Sequence, residues 1–479
     1  MIGKHVGYYF ASKLFAAILN LVSMALFVRL AGHEVYGGYI VAMAWAAITY
    51  SITLQWLRFA FFASYREETS GPQIASYLRI LAGGIAAFSV LTCLTVAAGF
   101  ASIETAISVY VIVTGLAVYD ALHESARIRL HARTVAIGVI TRSILILVFG
   151  LFALKMQTTA VSLALAFGAA HWGGALALVH GVAGVAGSKW SPDAARKMWQ
   201  AGRPLIPAFA VDSFGLQVDR LVLASHSGLA DVGPYGAVSD FVRQLMIVGS
   251  EAISGAYMAL ARADADNGRQ EGARLLLGQA FRAYTMLTAF AGAFVIHFAT
   301  PLLTILFGAS VATAVQPILL LIVASNTIMV FRAYYFAQIL FVAEGTKMLL
   351  IANVCHAVVA AVLSLALVPV YGAAGAAFAL MSAHLVALAC YAWANRQHYV
   401  TQLPYADAAL IALSAFLAYG IMTAVTSFAG DSIFTIVFNI AIFSAIALAT
   451  TWKFKVLSID EIAKPLVRKL AKLRAGSAL

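Results

Sequence analysis

The sequence predicts an all-α polytopic membrane protein of about fourteen transmembrane helices: two six-helix lobes related by a pseudo-two-fold axis along the membrane normal, plus two extra C-terminal helices. Three observations predict it. Hydrophobic residues make up 62% of the 479, charged residues only 11%, and the mean hydropathy is +0.91, far outside the composition of a soluble domain. Apolar runs of about 18 residues or more recur from near the N-terminus to residue 452, each long enough to cross a hydrocarbon core of about 30 Å as a helix. Lysine and arginine alternate between loops: twenty-one fall in segments expected inside, seven of them beyond residue 452, against Lys155 alone on the other side.

The expected spans are 8–30, 38–64, 74–99, 106–126, 134–154 and 158–180 in the N-terminal lobe (1–180). The C-terminal lobe (204–395) holds 204–226, 235–261, 275–299, 313–343, 348–369 and 374–395; two further spans, 406–428 and 433–452, fill 396–452. An even number of crossings keeps both termini on the cytoplasmic side of the membrane. The net charge of +11 then reflects topology and contact with anionic inner-leaflet lipid rather than nucleic-acid binding. Between the lobes, the basic segment 181–203 carries Trp190 and Trp199 and suits the inner headgroup layer. The tail 453–479 alternates apolar and basic residues at helical spacing, as an interfacial helix on anionic lipid would. Cys93, Cys355 and Cys390 sit in apolar runs without metal-ligand spacing and read as packing residues.

A weak internal echo supports the two lobes. "AGHEVYGGY" (31–39) resembles "SGLADVGPY" (227–235) through Gly32 and Gly228, Gly37 and Gly233, Tyr39 and Tyr235, at a constant offset of 196. Both copies follow an odd-numbered span of their half, so the repeats are parallel.

The seventh span carries Asp212, Asp219 and Arg220, which together oppose insertion by roughly 8–10 kcal/mol unless protein or water solvates them. At 100° per residue they fall on one wedge with Ser213 and Gln217. Span eight gathers Asp240, Arg243, Gln244, Glu251 and Ser254 likewise. Span four gathers Asp120, His123, Glu124, Arg127 and His131; span two, Ser51, Gln55 and Arg58. Arg142 and Arg332 are further intramembrane cations. Polar wedges in both halves imply a shared wet interior. Asp120 with Arg127, and Asp240 with Arg243, read equally well as structural pairs. Arg58, Arg142 and Arg332 have no acidic residue on their own stripe and point to an anionic, phosphate-bearing ligand, as do Arg220 and Arg243 on their wedges. Asp120, Asp212, Asp219, Asp240 and Glu251 are candidates for ion coupling or for static pairs.

Catalytic patterns are poor. "HESAR" (123–127) starts like a zinc-protease helix, but Arg127 stands where the second histidine belongs. There is no phosphate-cradling glycine loop and no nucleophile elbow, so the expectation is a non-enzyme without cofactor or metal, drawing on a proton or Na⁺ gradient.

Three segments resemble the Wzx-type polysaccharide exporters of the multidrug/oligosaccharidyl-lipid/polysaccharide flippase superfamily. "RLAGHEVYGGY" is similar to that family's segment after span one through Arg29, Leu30, Gly32, Tyr36 and Gly37, with Ala31 replacing the usual leucine. "DRLVLASHSGLADVGPYGA" resembles its exit from span seven through Asp219, Leu221, Gly228, Val232, Gly233 and Tyr235, although the pattern does not demand Arg220. "PVYGAAGAA" (369–377) resembles its turn between spans eleven and twelve. The resemblance implies two six-helix lobes flipping an undecaprenyl-pyrophosphate-linked oligosaccharide from the inner to the outer leaflet by alternating access, alongside polysaccharide polymerase machinery. An ion-coupled multidrug exporter and a lipid II flippase are the alternatives within the superfamily. A polysaccharide polymerase or ligase is the enzyme alternative, disfavoured because no large external loop interrupts the expected spans.

Overall fold

The computed structural model describes residues 2–185, 187–342, 346–398, 403–454 and 456. The expected amphipathic tail therefore lies almost wholly outside the described residues. Helices follow one another in the order α1 Ile2–Ala31, α2 His33–Thr53, α3 Gln55–Ser64, α4 Ser70–Ala97, α5 Ile103–Ile128, α6 Ala132–Met156 and α7 Ala160–Leu178. Next come α8 Pro192–Gly202, α9 Leu205–Ser227, α10 Leu229–Ile253, α11 Ala259–Asp266, α12 Gln270–His297 and α13 Ala299–Phe307. The last are α14 Ala309–Val315, α15 Leu319–Val330, α16 Ala337–Val342, α17 Thr346–His398, α18 Tyr405–Ala429 and α19 Ile433–Lys453. No strand occurs among the described residues.

Local sequence explains where several helices begin. Ser102, Ser191 and Ser432 each cap a helix by accepting the backbone N–H three residues on, and Pro192 occupies the first turn of α8 where no donor is needed. Thr159 and Ser162 form a reciprocal capping box on α7.

Among the described residues, ten helices are long and apolar enough to cross a membrane, or eleven if the bent pair α12 and α13 counts as one span. The expected fourteen differ from this count for physical reasons. Helices α9 and α10, of 23 and 25 residues, are long enough but carry the charged wedges. Helix α17 runs through 53 residues and holds two expected spans, separated by Gly372 at φ 53, ψ −130. The expected single span 38–64 is α2 and α3, broken at Leu54 (φ −129, ψ −22) with neither glycine nor proline at the break.

By contact the chain forms two compact units. The first comprises the described residues within Met1–Gln244, Thr300–Ile328 and Thr346–Tyr391; the second comprises those within Leu245–Ala299, Met329–Gly345 and Ala392–Leu479.

Within the first unit, the repeated segment has a structural counterpart. Gly32 (φ 78, ψ 171) and Gly228 (φ 88, ψ 169) share one left-handed conformation at the mouths of α2 and α10, a region open to glycine at little cost. One turn on, α2 and α10 cross backbone to backbone. A Cβ on Gly37 would fall on the carbonyl of Leu229, and one on Gly233 would fall on the carbonyl of His33. Both contacts obey the offset of 196. Beside them Arg29 donates to the carbonyls of Thr304 (2.7 Å), Ile305 (2.6 Å) and Leu306 (3.1 Å), so its cation closes the last turn of α13. The linker segment also belongs to this unit: α8 sets Trp199 edge-on against Trp56 of α3, ring centroids 5.5 Å apart.

In the second unit α18 packs along α12 around Phe290, Ile411, Ala415 and Ala418. Asn439 of α19 is the polar hub: its amide donates to Thr426 Oγ1 (2.9 Å) and the Met422 carbonyl (3.3 Å), with His297 Nε2 at 3.2 Å. Asn439 is 1% exposed. Asn439→Leu removes these bonds and leaves the buried Met422 carbonyl and the half-buried Thr426 and His297 without this donor, a loss of about 1–3 kcal/mol. The expected result is faster amide exchange confined to α19; protection equal to wild type would show that the hub does not hold the helix.

Candidate functional site

Asp120, His123, Glu124 and Arg127 share one stripe of α5 because residues three and four apart on a helix face the same way. The break at Leu54 brings both Tyr50 of α2 and Arg58 of α3 to that stripe. Tyr50 Oη donates to Asp120 Oδ2 at 2.8 Å and Arg58 Nη1 donates to the same oxygen at 3.1 Å. Arg58 Nε also lies 3.5 Å from Glu124 Oε2. Arg127 grips Glu124 through two parallel bonds, Nη2 to Oε1 at 2.6 Å and Nε to Oε2 at 3.2 Å. Glu124 is 1% exposed, whereas the Arg58 and Arg127 side chains keep 34% and 45% of their surface open. Carboxylates thus form a floor and guanidinium groups a rim.

Next to this floor, the Arg142 guanidinium of α6 sits 4.7 Å over the ring of Tyr119, within the range of a cation–π contact. Its Nε is buried without a hydrogen-bond partner. His123 stacks on the same tyrosine and His171 of α7 meets it edge-on, at centroid distances of 5.7 and 5.6 Å. Outside the spans, partial burial and the nearby Arg129 push the His131 imidazole below its ordinary pKa.

The second cluster joins α9 to α10. Arg220 donates to both oxygens of Asp240 (2.5 and 3.2 Å), and Arg243 donates to Asp240 Oδ1 at 2.7 Å. Asp219, fully buried, accepts from the Tyr235 hydroxyl at 2.6 Å, and its Oδ1 has no hydrogen-bond partner. Side-chain exposure again separates the two arginines: 7% for Arg220 and 34% for Arg243.

Of the expected pairs, Asp240 with Arg243 is present and Asp120 with Arg127 is not. Seven residues span about 10 Å along a helix, beyond direct reach, so Arg127 takes the nearer Glu124 and Asp120 turns to Arg58. Arg58, without an acidic residue on its own stripe, finds two on α5. The positive surplus expected of these wedges is correspondingly smaller, since Arg58, Arg127, Arg220 and Arg243 all hold carboxylates. Arg332 lies in the second unit, 4% exposed, on a π-helical turn at Phe331–Phe336. Its neighbour Tyr334 gives a carbonyl to the Tyr284 hydroxyl at 3.0 Å. Asp212 is half-buried and Glu251 exposed. Sequence reasoning missed Tyr50 and Tyr119, because tyrosines on apolar helices carry no charge to mark them.

No family model matches the chain, and a search of curated protein sequences finds no match. Solved structures do match. A lipid II flippase MurJ in an inward closed conformation superposes with a TM-score of 0.73 at 13% identity, covering 96% of this chain and 99% of that one. A multidrug resistance MATE family transporter of the MOP superfamily, outward-facing, gives 0.56 at 14% identity over 83% of this chain and 96% of its own. A MOP superfamily transporter from Pyrococcus furiosus gives 0.52 at 13% identity over 83% and 94%. The chain therefore has the helical fold of these membrane transporters. A match over 96% leaves too few residues uncovered to omit α18 and α19, so the MurJ likeness includes helices beyond the first twelve spans.

Proposed function

We propose that this chain is a flippase that carries an undecaprenyl-pyrophosphate-linked oligosaccharide from the cytoplasmic to the periplasmic leaflet by alternating access, in the manner of Wzx-type exporters. The observation that carries the reading is the near-complete fold match to a flippase of a lipid. The half-open arginines add to it. Arg58, Arg127 and Arg243 are held by carboxylates on one side and keep free surface on the other, where a pyrophosphate can take the remaining N–H groups in parallel bonds.

That arrangement also couples charge. A phosphate that draws Arg58 away leaves the Asp120 carboxylate with Tyr50 alone and its negative charge open to a coupling cation. Arg220 and Arg332 are buried, and we assign them to holding the helices; Arg142 is half-buried, like Arg58, with its guanidinium over the Tyr119 ring. The likeness to MurJ favours one second reading, a lipid II flippase, which shares the phosphate chemistry and differs in the glycan.

Deletion of the gene is expected to accumulate undecaprenyl-linked repeat units on the cytoplasmic side of the membrane. Unpolymerised units already outside would overturn the reading. Arg58→Ala and Arg243→Ala are expected to insert normally and to reduce export by about 10- to 100-fold, the loss of one charge-assisted contact of about 1.5–3 kcal/mol. Two alanine variants exporting at the wild-type rate would remove the phosphate role from the rims.

A further inference from the structure

Helix α17 contains two histidines that the sites above do not use. His356 precedes the Gly372 break and His384 follows it, so the two halves of α17 bring them face to face. His356 Nε2 and His384 Nδ1 are 2.9 Å apart, and the rings stack at 4.7 Å with 23° between their planes. Both are buried, at 0% and 3% exposure. Tyr391, two turns beyond His384, donates to Asn353, one turn before His356, at 2.7 Å and ties the same two segments.

A hydrogen bond between two imidazoles needs one N–H and one lone pair. Two neutral rings satisfy it, and so does one neutral ring with one imidazolium. Two imidazolium rings do not, because two N–H groups would then point at each other across 2.9 Å. The pair as placed holds at most one added proton. It can also pass that proton along. In the tautomer with His356 Nε2 as donor, a proton arriving at His356 Nδ1 lets the bridging proton shift from His356 Nε2 to His384 Nδ1, and the proton on His384 Nε2 leaves. Each ring ends neutral in its other tautomer, with one proton gained and one released.

Helix α9 sets access to the entry nitrogen. Gly215 of α9 lies over His356 so closely that a Cβ there would stand 2.5 Å from Nδ1. The acidic residues of α9 nearest Gly215 along the helix are Asp212 and Asp219, one turn to either side, and Asp219 is held by the Tyr235 hydroxyl of α10. From α17 itself the titratable neighbours are Tyr391, Cys355 and Cys390.

We propose that the His356–His384 pair is a proton-binding relay, exposed when α9 moves off it and distinct from the arginine-held carboxylates. The transport arm of its test rests on the flippase reading; the proton count does not. Detergent-solubilised wild-type protein is taken from pH 8 to pH 5 and its proton uptake compared with the His356→Gln/His384→Gln double variant, with both His→Asn variants as a second pair if folding fails. A difference of one proton is expected; a difference of zero or of two overturns the relay. In the transport arm, vesicles carry a fluorescent undecaprenyl-pyrophosphoryl monosaccharide whose outward exposure is read by dithionite quenching. Either single variant is expected to keep the gradient-free rate and to lose about fivefold or more of the acceleration given by a pH gradient. An undiminished response to the gradient overturns the relay. Wild-type protein that moves no probe even without a gradient overturns the substrate reading instead, and the proton count still decides the pair.

Discussion

Arg220→Met is expected to destabilise the folded protein by about 2–3 kcal/mol, whereas Arg243→Met, a change to the same carboxylate's other partner, costs less than about 1 kcal/mol. The difference follows from burial. Removing one member of a buried ion pair leaves an uncompensated charge in a poorly solvating place, which costs about 3–5 kcal/mol when the pair is fully enclosed. Arg220 is nearly so, at 7% side-chain exposure, and it engages both oxygens of Asp240. Asp240 itself retains 20% exposure and would keep Arg243, so the loss falls to the bottom of that range or just below it. Arg243 is one-third open, and its single bond to Asp240 competes with water. Arg220→Lys keeps the charge but not the two-pronged geometry and should fall between wild type and methionine. Thermal unfolding of the purified variants in one detergent measures all three. Equal losses for the methionine variants at 220 and 243 would mean that burial does not separate a holding arginine from a ligand-facing one, and the division of labour between rim and floor would fail with it.

Much of this architecture was legible in the sequence, and what was not has a common cause. Spans declare themselves because a bilayer demands about 20 apolar residues in a row, and the wedges on α5, α9 and α10 declare themselves through helical period. Both signals are local. Which residue pairs with which is not local: Arg58 meets Asp120 across 62 positions and Arg220 meets Asp240 across 20. Within one helix, adjacency was decisive, so Arg127 chose Glu124 over the more distant Asp120. The bend at Leu54 had no breaker residue to announce it, and the histidines at 356 and 384 stood alone in separate apolar runs. By contrast the three-residue echo at offset 196 carried more than its length suggested, because glycine at 32, 37, 228 and 233 answers to backbone conformation and backbone contact.

Valine at Gly37 is expected to shift the protein toward a conformation in which α2 and α10 have parted at the end expected to face the periplasm. A side chain there meets the Leu229 carbonyl, and the reciprocal position, Gly233, meets the carbonyl of His33. Main-chain atoms cannot swing aside as a flexible side chain would, so relief requires the two helices to separate. Forcing extra carbons into a packed contact costs about 1–3 kcal/mol, which is roughly a 5- to 150-fold change in the ratio of closed to open forms. Because both glycines relieve the same crossing, Gly37→Val/Gly233→Val should cost less than the sum of its single variants. Spin labels at Glu34 and Asp231, exposed positions on the two helices, report the separation. A longer distance population should appear in each single variant and grow little in the double; on the flippase reading, flipping is also slowed in all three, because that cycle would have to close this end. If transport were lost while the distances stayed as in wild type, the crossing would be a structural seam and the gate would have to be sought on other helices.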